Sequence, residues 1–194
     1  MSLQLTVTDL DKLEDYAELR AGFREEVLAE KSRRRVDVGP NLTLYFENRL
    51  TVRYQVQEML RIERIFERDG IQEELDAYNP LIPDGGNLKA TAMIEYPDEQ
   101  ERRAKLRALK GIEDLIWVRV GQGDRVFAIA DEDLERSNDD KTSAVHFLRF
   151  EVPQADRDAL NAGEPLFMGV SHTVYDHETQ VADATRESLR ADFS

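Results

Sequence analysis

Apolar residues return along the chain in two different periods, helical in the first part and alternating in the second. Leu13, Tyr16, Ala17, Phe23, Val27 and Leu28 share one arc at roughly 100° per residue, which predicts a helix from about Asp9 to Glu30. Thr8 stands where it can cap that helix, with Asp11 three residues on in the capping-box position. A second helix is predicted over Leu50 to Glu67, stopped by Gly70. Between the two, "RRVDVGPNLTLYFEN" alternates at Leu42, Leu44 and Phe46, which predicts two short strands around Gly39-Pro40-Asn41. "IQEELDAY" adds a short helical piece before the loop "NPLIPDGGN".

From Leu88 the period falls to two. "LKATAMIEY" reads as a strand, and Asp98 with Glu101 forms a D-x-x-E box that opens a helix ended by Gly111. "DLIWVRV" and "RVFAIA" flank Gly121-Gln122-Gly123-Asp124, a hairpin signature. Asp131 to Lys141 reads as an exposed acidic loop, "TSAVHFLRFEV" as a strand and Pro153 to Ala162 as a short helix. "PLFMGVSH" is the last predicted strand, and Ala182 to Asp192 is a helical tail. The expected fold is α+β: a mostly antiparallel sheet of about five to seven strands, with an N-terminal helix pair and short helices packed on one face. Residues 1–194 are expected to form a single domain, whose helix-rich part (1–80) and strand-rich part (88–194) are not separable.

The second helix carries polar residues on its apolar side. With Val52 at the centre, Val56, Met59, Leu60, Ile62 and Phe66 lie within about 80°, yet Glu63 falls about 20° from the centre and Gln55 lies inside the arc. The first helix mirrors this with Arg20 and Arg24. A polar seam is therefore expected, in which Arg20 or Arg24 meets Glu63 while Gln55 completes the hydrogen bonds. Such a pair adds little net stability, so it serves either to fix the register of the two helices or to serve chemistry.

Composition narrows the functions. There are 40 acidic and 26 basic residues, for a net charge of −14, which disfavours nucleic acid as a partner. The cluster Lys31, Arg33, Arg34 and Arg35 is read as closing a helix C-terminus. Cysteine is absent, so the chain supplies no disulfide, thiolate metal site or cysteine nucleophile. The N-terminal stretch turns acidic without an apolar signal core and no long apolar run follows, so the expectation is a cytoplasmic protein without a membrane span.

Three histidines are present. His146 shares a strand face with Ala144, Leu148 and Phe150, as a satisfied core histidine or as a base beside Arg149. His172 and His177, with Asp176 and Glu178 near them, have no converging metal-ligand spacing, and neither metal nor cofactor is expected. No phosphate loop, dinucleotide fingerprint or nucleophile elbow occurs.

The stretches "GPNLTLYFENR", "QEMLRIERIF", "ELDAYNPLIP" and "TSAVHFLRF" resemble a bacterial family of about this length that has no assigned activity. The resemblance runs over most of the chain. Members of that family are often encoded beside rubrerythrin-like proteins and an iron–sulfur oxidoreductase, which implies a redox or peroxide-response setting and a redox protein as partner. Two expectations follow. One is a non-enzymatic accessory protein that docks on such a partner. The other is a small enzyme or ligand-binding domain for an anionic molecule, with a site drawn from Glu47, Arg49, Arg53, Glu63, Tyr78, Asn79 and His146.

Overall fold

The computed structural model describes residues 4–133, 136–138 and 140–193. Among the described residues, six α-helices and two antiparallel sheets make an α+β fold. The chain runs α1 (Leu13–Arg33), β1 (Arg35–Val38), β2 (Leu42–Phe46), α2 (Arg49–Glu63), α3 (Arg68–Tyr78) and β3 (Asn87–Ile94). It continues through α4 (Glu99–Ala108), β4 (Ile116–Val120), β5 (Val126–Phe127), β6 (Ile129–Ala130) and β7 (Val145–Glu151). The last elements are α5 (Gln154–Asn161), β8 (Leu166–His172), β9 (Tyr175–Gln180) and α6 (Asp183–Arg190).

The strands divide between a five-stranded sheet, β1-β2-β3-β7-β6, and a four-stranded sheet, β5-β4-β8-β9. The chain passes from one sheet to the other at Ala128, between β5 and β6. Alternation decides the faces. Leu44, Ala92 and His146 lie side by side in register, as do Phe46, Ala90 and Leu148, and all six are buried. The five apolar ones join Ile116, Val118, Met168 and Val170 of the second sheet in one apolar core. A smaller core of Val52, Val56, Leu60, Leu75 and Ile82 holds the helices together.

Local signals set most boundaries. Asp98 caps α4 by accepting from Glu101 N at 2.7 Å. Gly121, at φ 52°, turns the β4–β5 hairpin. Asn48 caps α2 by accepting from Thr51 N at 3.0 Å, while Thr51 Oγ1 accepts from Asn48 N at 3.0 Å.

Several elements differ from expectation: "RVFAIA" splits into β5 and β6 of different sheets, and Gly70 lies inside α3. α1 starts at Leu13 and runs on to Arg33, because Thr6 and Asp9 close a separate short turn at Val7–Asp9. α2 ends at Glu63, where Arg64 takes up φ 56° and Ile65 N bonds back to Leu60 O at 3.0 Å. β9 has no counterpart among the expected strands, since "YDHETQ" is polar and only Tyr175 in it is buried.

The arginine cluster ends α1 as expected, but Arg34 does more. Its guanidinium is 1% exposed and donates to Phe46 O and Glu47 O, each at 3.0 Å, to Ser188 and to Asp192. It thereby joins the end of β2 to the last turns of α6 and to Asp192 just after it. Among the described residues no helix is long and apolar enough to cross a membrane.

Candidate functional site

A cleft of ≈ 520 Å³ opens between the helices and the outer face of the five-stranded sheet. α2 and α3 contribute Gln55, Ala77 and Tyr78 to it, and Pro80 and Leu81 follow from the next turn. β3 and β7 contribute Lys89, Phe147 and Arg149, on the face opposite to the core. Glu132, Asp133 and Arg136 form the remaining wall.

The charges in the cleft are unevenly satisfied. Arg149 donates through Nε and Nη2 to both oxygens of Glu132 at 2.7 Å, and through Nη1 to Glu151. Arg136 lies 4.5 Å from the centre of the Phe147 ring and reaches Asp133 at 2.7 Å and Asp131 at 3.4 Å. The Lys89 ammonium has no hydrogen-bond or ion-pair partner among the described residues, and nor do the Gln55 amide and the Tyr78 hydroxyl. Burial, with the Arg149 charge beside it, holds the Lys89 ammonium below the ordinary lysine range against the opposing pull of Glu132, Asp84 and Glu151.

Behind the cleft, β7 presents its other face to a buried polar chain. His146 Nδ1 lies 2.6 Å from Asp131 Oδ2. Thr142 Oγ1 donates to Glu113 Oε2 at 2.9 Å and lies 2.8 Å from His146 Nε2. Burial works to raise the Glu113 carboxyl, but hydrogen bonds from Ser137, its own backbone and Thr142, with His146 near, hold it below the ordinary value. Asp131 takes up φ 50° and accepts from Phe147 N through its second oxygen at 3.0 Å. The acidic loop is therefore tied into the core at Asp131, Ser137 and Thr142 rather than exposed along its length; Leu134, Glu135 and Asp139 lie outside the described residues.

The structure scatters the residues expected to form one site. Tyr78 lines the cleft. His146 is fully buried, on the face of β7 opposite to Arg149. Glu47 is buried and accepts from Thr51 at 2.6 Å and Thr91 at 3.1 Å. Arg49 pairs with Asp9, whose carboxyl is lowered to about 2 by the Thr6 backbone and by Arg49. Arg53 pairs with Asp11 and lies over the Phe23 ring. Asn79 accepts from Leu5 N at 2.8 Å and donates to Leu5 O at 2.9 Å. Arg49, Arg53 and Asn79 thus bind the segment 5–11 onto the helices.

The polar seam exists with other partners. Arg20 donates to both oxygens of Glu58 at 2.7 and 2.9 Å, and Tyr16 donates to the same carboxylate at 2.8 Å. Glu63 is exposed, because it is the last residue of α2 and the neighbouring chain has turned away. Arg24 is exposed as well. Gln57, rather than Gln55, is the fully buried amide, and it accepts from Asp11 N at 2.6 Å.

His172 lies near Lys110 O at 3.3 Å and His177 packs on the Tyr175 ring, in separate surroundings. Among the described residues no group of three or more His, Asp or Glu side chains is placed to hold a metal ion. Sequence reasoning missed Lys89, Arg136, Asp131, Thr142 and Glu113. The one available signal was His146 itself, since a histidine on a core-facing strand position needs partners for both nitrogens.

No curated protein matches the chain. A crystal structure from Burkholderia pseudomallei K96243, titled a novel protein of unknown function, shares 50% identity, covers 98% of this chain and 100% of its own, and superposes with a TM-score of 0.92. The family described as "Protein of unknown function (DUF3501)" matches residues 4–193. With nearly its whole length matched, the chain belongs to the DUF3501 family.

Proposed function

We propose that the protein binds a small organic anion in the cleft between α2–α3 and the outer face of the five-stranded sheet. One observation carries this reading: the three polar groups in the cleft that lack protein partners, Lys89, Gln55 and Tyr78, stand among apolar walls from Ala77, Pro80, Leu81 and Phe147. A cleft with apolar walls and a few polar groups left open to bonding suits a ligand that supplies the matching oxygens. The volume suits a compact molecule with a short apolar body. This reading takes the second of the two expectations from the sequence, with a largely different set of residues.

Titration with short 2-hydroxy acids, lactate and 2-hydroxyisovalerate, followed by NMR, tests it. Saturable shifts confined to Tyr78, Phe147 and Lys89 are expected, and Lys89→Met should abolish them. Shifts that stay linear with concentration, or that scatter over the surface, would overturn the reading.

A further inference from the structure

We infer that Lys89 is an imine-forming lysine and that the cleft takes a small 2-oxo acid. This rests on the reading of the cleft as a small-anion site and names the ligand's second functional group.

A lysine that attacks a carbonyl must reach the neutral state easily and must not be held by a carboxylate. Lys89 meets both needs by position. It stands directly across from Arg149 in the β3–β7 register, so a cation faces it. Two of the three nearby acids, Glu132 and Glu151, are bound to Arg149, and the third, Asp84, accepts from Gly86 N at 2.9 Å. Phe147 and Leu81 line the same cleft. Burial in the cleft and the facing Arg149 charge disfavour the ammonium relative to the amine, against the pull of the nearby acids. The lowered affinity of Lys89 for its proton agrees with that geometry. The Gln55 amide and the Tyr78 hydroxyl remain as donors for the carboxylate of the oxo acid.

The step balances without an oxidant or reductant. The Lys89 ammonium gives a proton to solvent, and the amine lone pair forms the bond to the carbonyl carbon. The carbonyl electron pair moves to its oxygen, which takes up a proton. The resulting carbinolamine loses water as the C=N bond forms. One ammonium and one carbonyl compound give one protonated imine and one water. The positive charge stays at the lysine nitrogen, next to the ligand carboxylate.

The test is to incubate the full chain with glyoxylate, pyruvate or 2-oxoisovalerate in the presence of cyanoborohydride, then map adducts by peptide mass spectrometry. The chain has six lysines, so the other five serve as internal comparators. A single adduct at Lys89, formed at least ~10-fold faster than on any other lysine and suppressed by lactate, is expected, ~10-fold corresponding to ~1.4 kcal/mol in barrier. Lys89→Arg, checked for folding by circular dichroism, should lose it. If the hydroxy acids bind saturably but Lys89 is labelled no faster than the other lysines, the imine is overturned and the anion site stands. If neither hydroxy nor oxo acids bind saturably, both fail.

Discussion

Lys89 and Arg149 stand directly opposite each other on β3 and β7, two cations on one face of a sheet. Like charges in that relation destabilise an antiparallel pair by roughly 0.2–1 kcal/mol. Arg149 is compensated by Glu132 and Glu151, whereas Lys89 is not. Lys89→Met should therefore raise stability by about 0.5 kcal/mol while abolishing anion binding. Urea unfolding of the two proteins, set beside the NMR titration, checks both halves. A loss of stability would mean that Lys89 is held by the fold and not reserved for a ligand.

His146→Leu should cost about 1–3 kcal/mol, because Asp131 and Thr142 lose the ring between them while Phe147 N, Arg136 and Glu113 still serve them. Amide exchange at Phe147, whose N–H donates to Asp131, should accelerate with it. Unfolding curves and hydrogen exchange of the variant measure the two effects.

The Asp192 carboxyl is pushed up to about 6 by burial, in spite of the Arg34 guanidinium against it. A folded value above the unfolded one gives stability that is complete below about pH 4 and is lost as pH rises through about 6. At ~1.4 kcal/mol per unit, the loss is of the order of 3 kcal/mol. Asp192→Asn should remove that part of the pH dependence, so the variant gains on the wild type between pH 4 and pH 7. Urea midpoints across that range are the measurement, and parallel curves would contradict it.

Glu58 moves the other way. Hydrogen bonds from Arg20 first, then Arg61 and Tyr16, outweigh burial and lower its carboxyl to about 2. Its contribution is present above the unfolded value near 4.5 and is lost as pH falls toward 2. Glu58→Gln should cost about 1–2 kcal/mol at pH 7 and much less at pH 2.5, as read from thermal melts at the two values.

Much of the fold was legible because its signals are local. Leu42, Leu44 and Phe46 declare their strand by alternation, and Asp98 and Gly121 act on their own neighbours. β9 was not legible, since an edge strand with one buried residue carries no apolar period. The seam was misplaced for a related reason. The arc that puts Glu63 near the centre line includes Ile62 and Phe66, which are exposed once the chain turns at Arg64. The cleft was the least legible part. Alternation says that Lys89 and Arg149 share a face, but not that Tyr78 and Gln55 come to cover it. That depends on contacts between residues far apart in sequence.

The Arg34 clamp sets an order of events during synthesis. Its guanidinium sits at the end of β2, yet two of the groups that satisfy it, Ser188 and Asp192, lie more than 150 residues later. A buried guanidinium short of its acceptors is strongly unfavourable, so the joint between α1 and β2 stays open to water until residue 192 has left the ribosome. The early helices and the first hairpin can form before then, but they dock for good only when the last turn closes on Arg34.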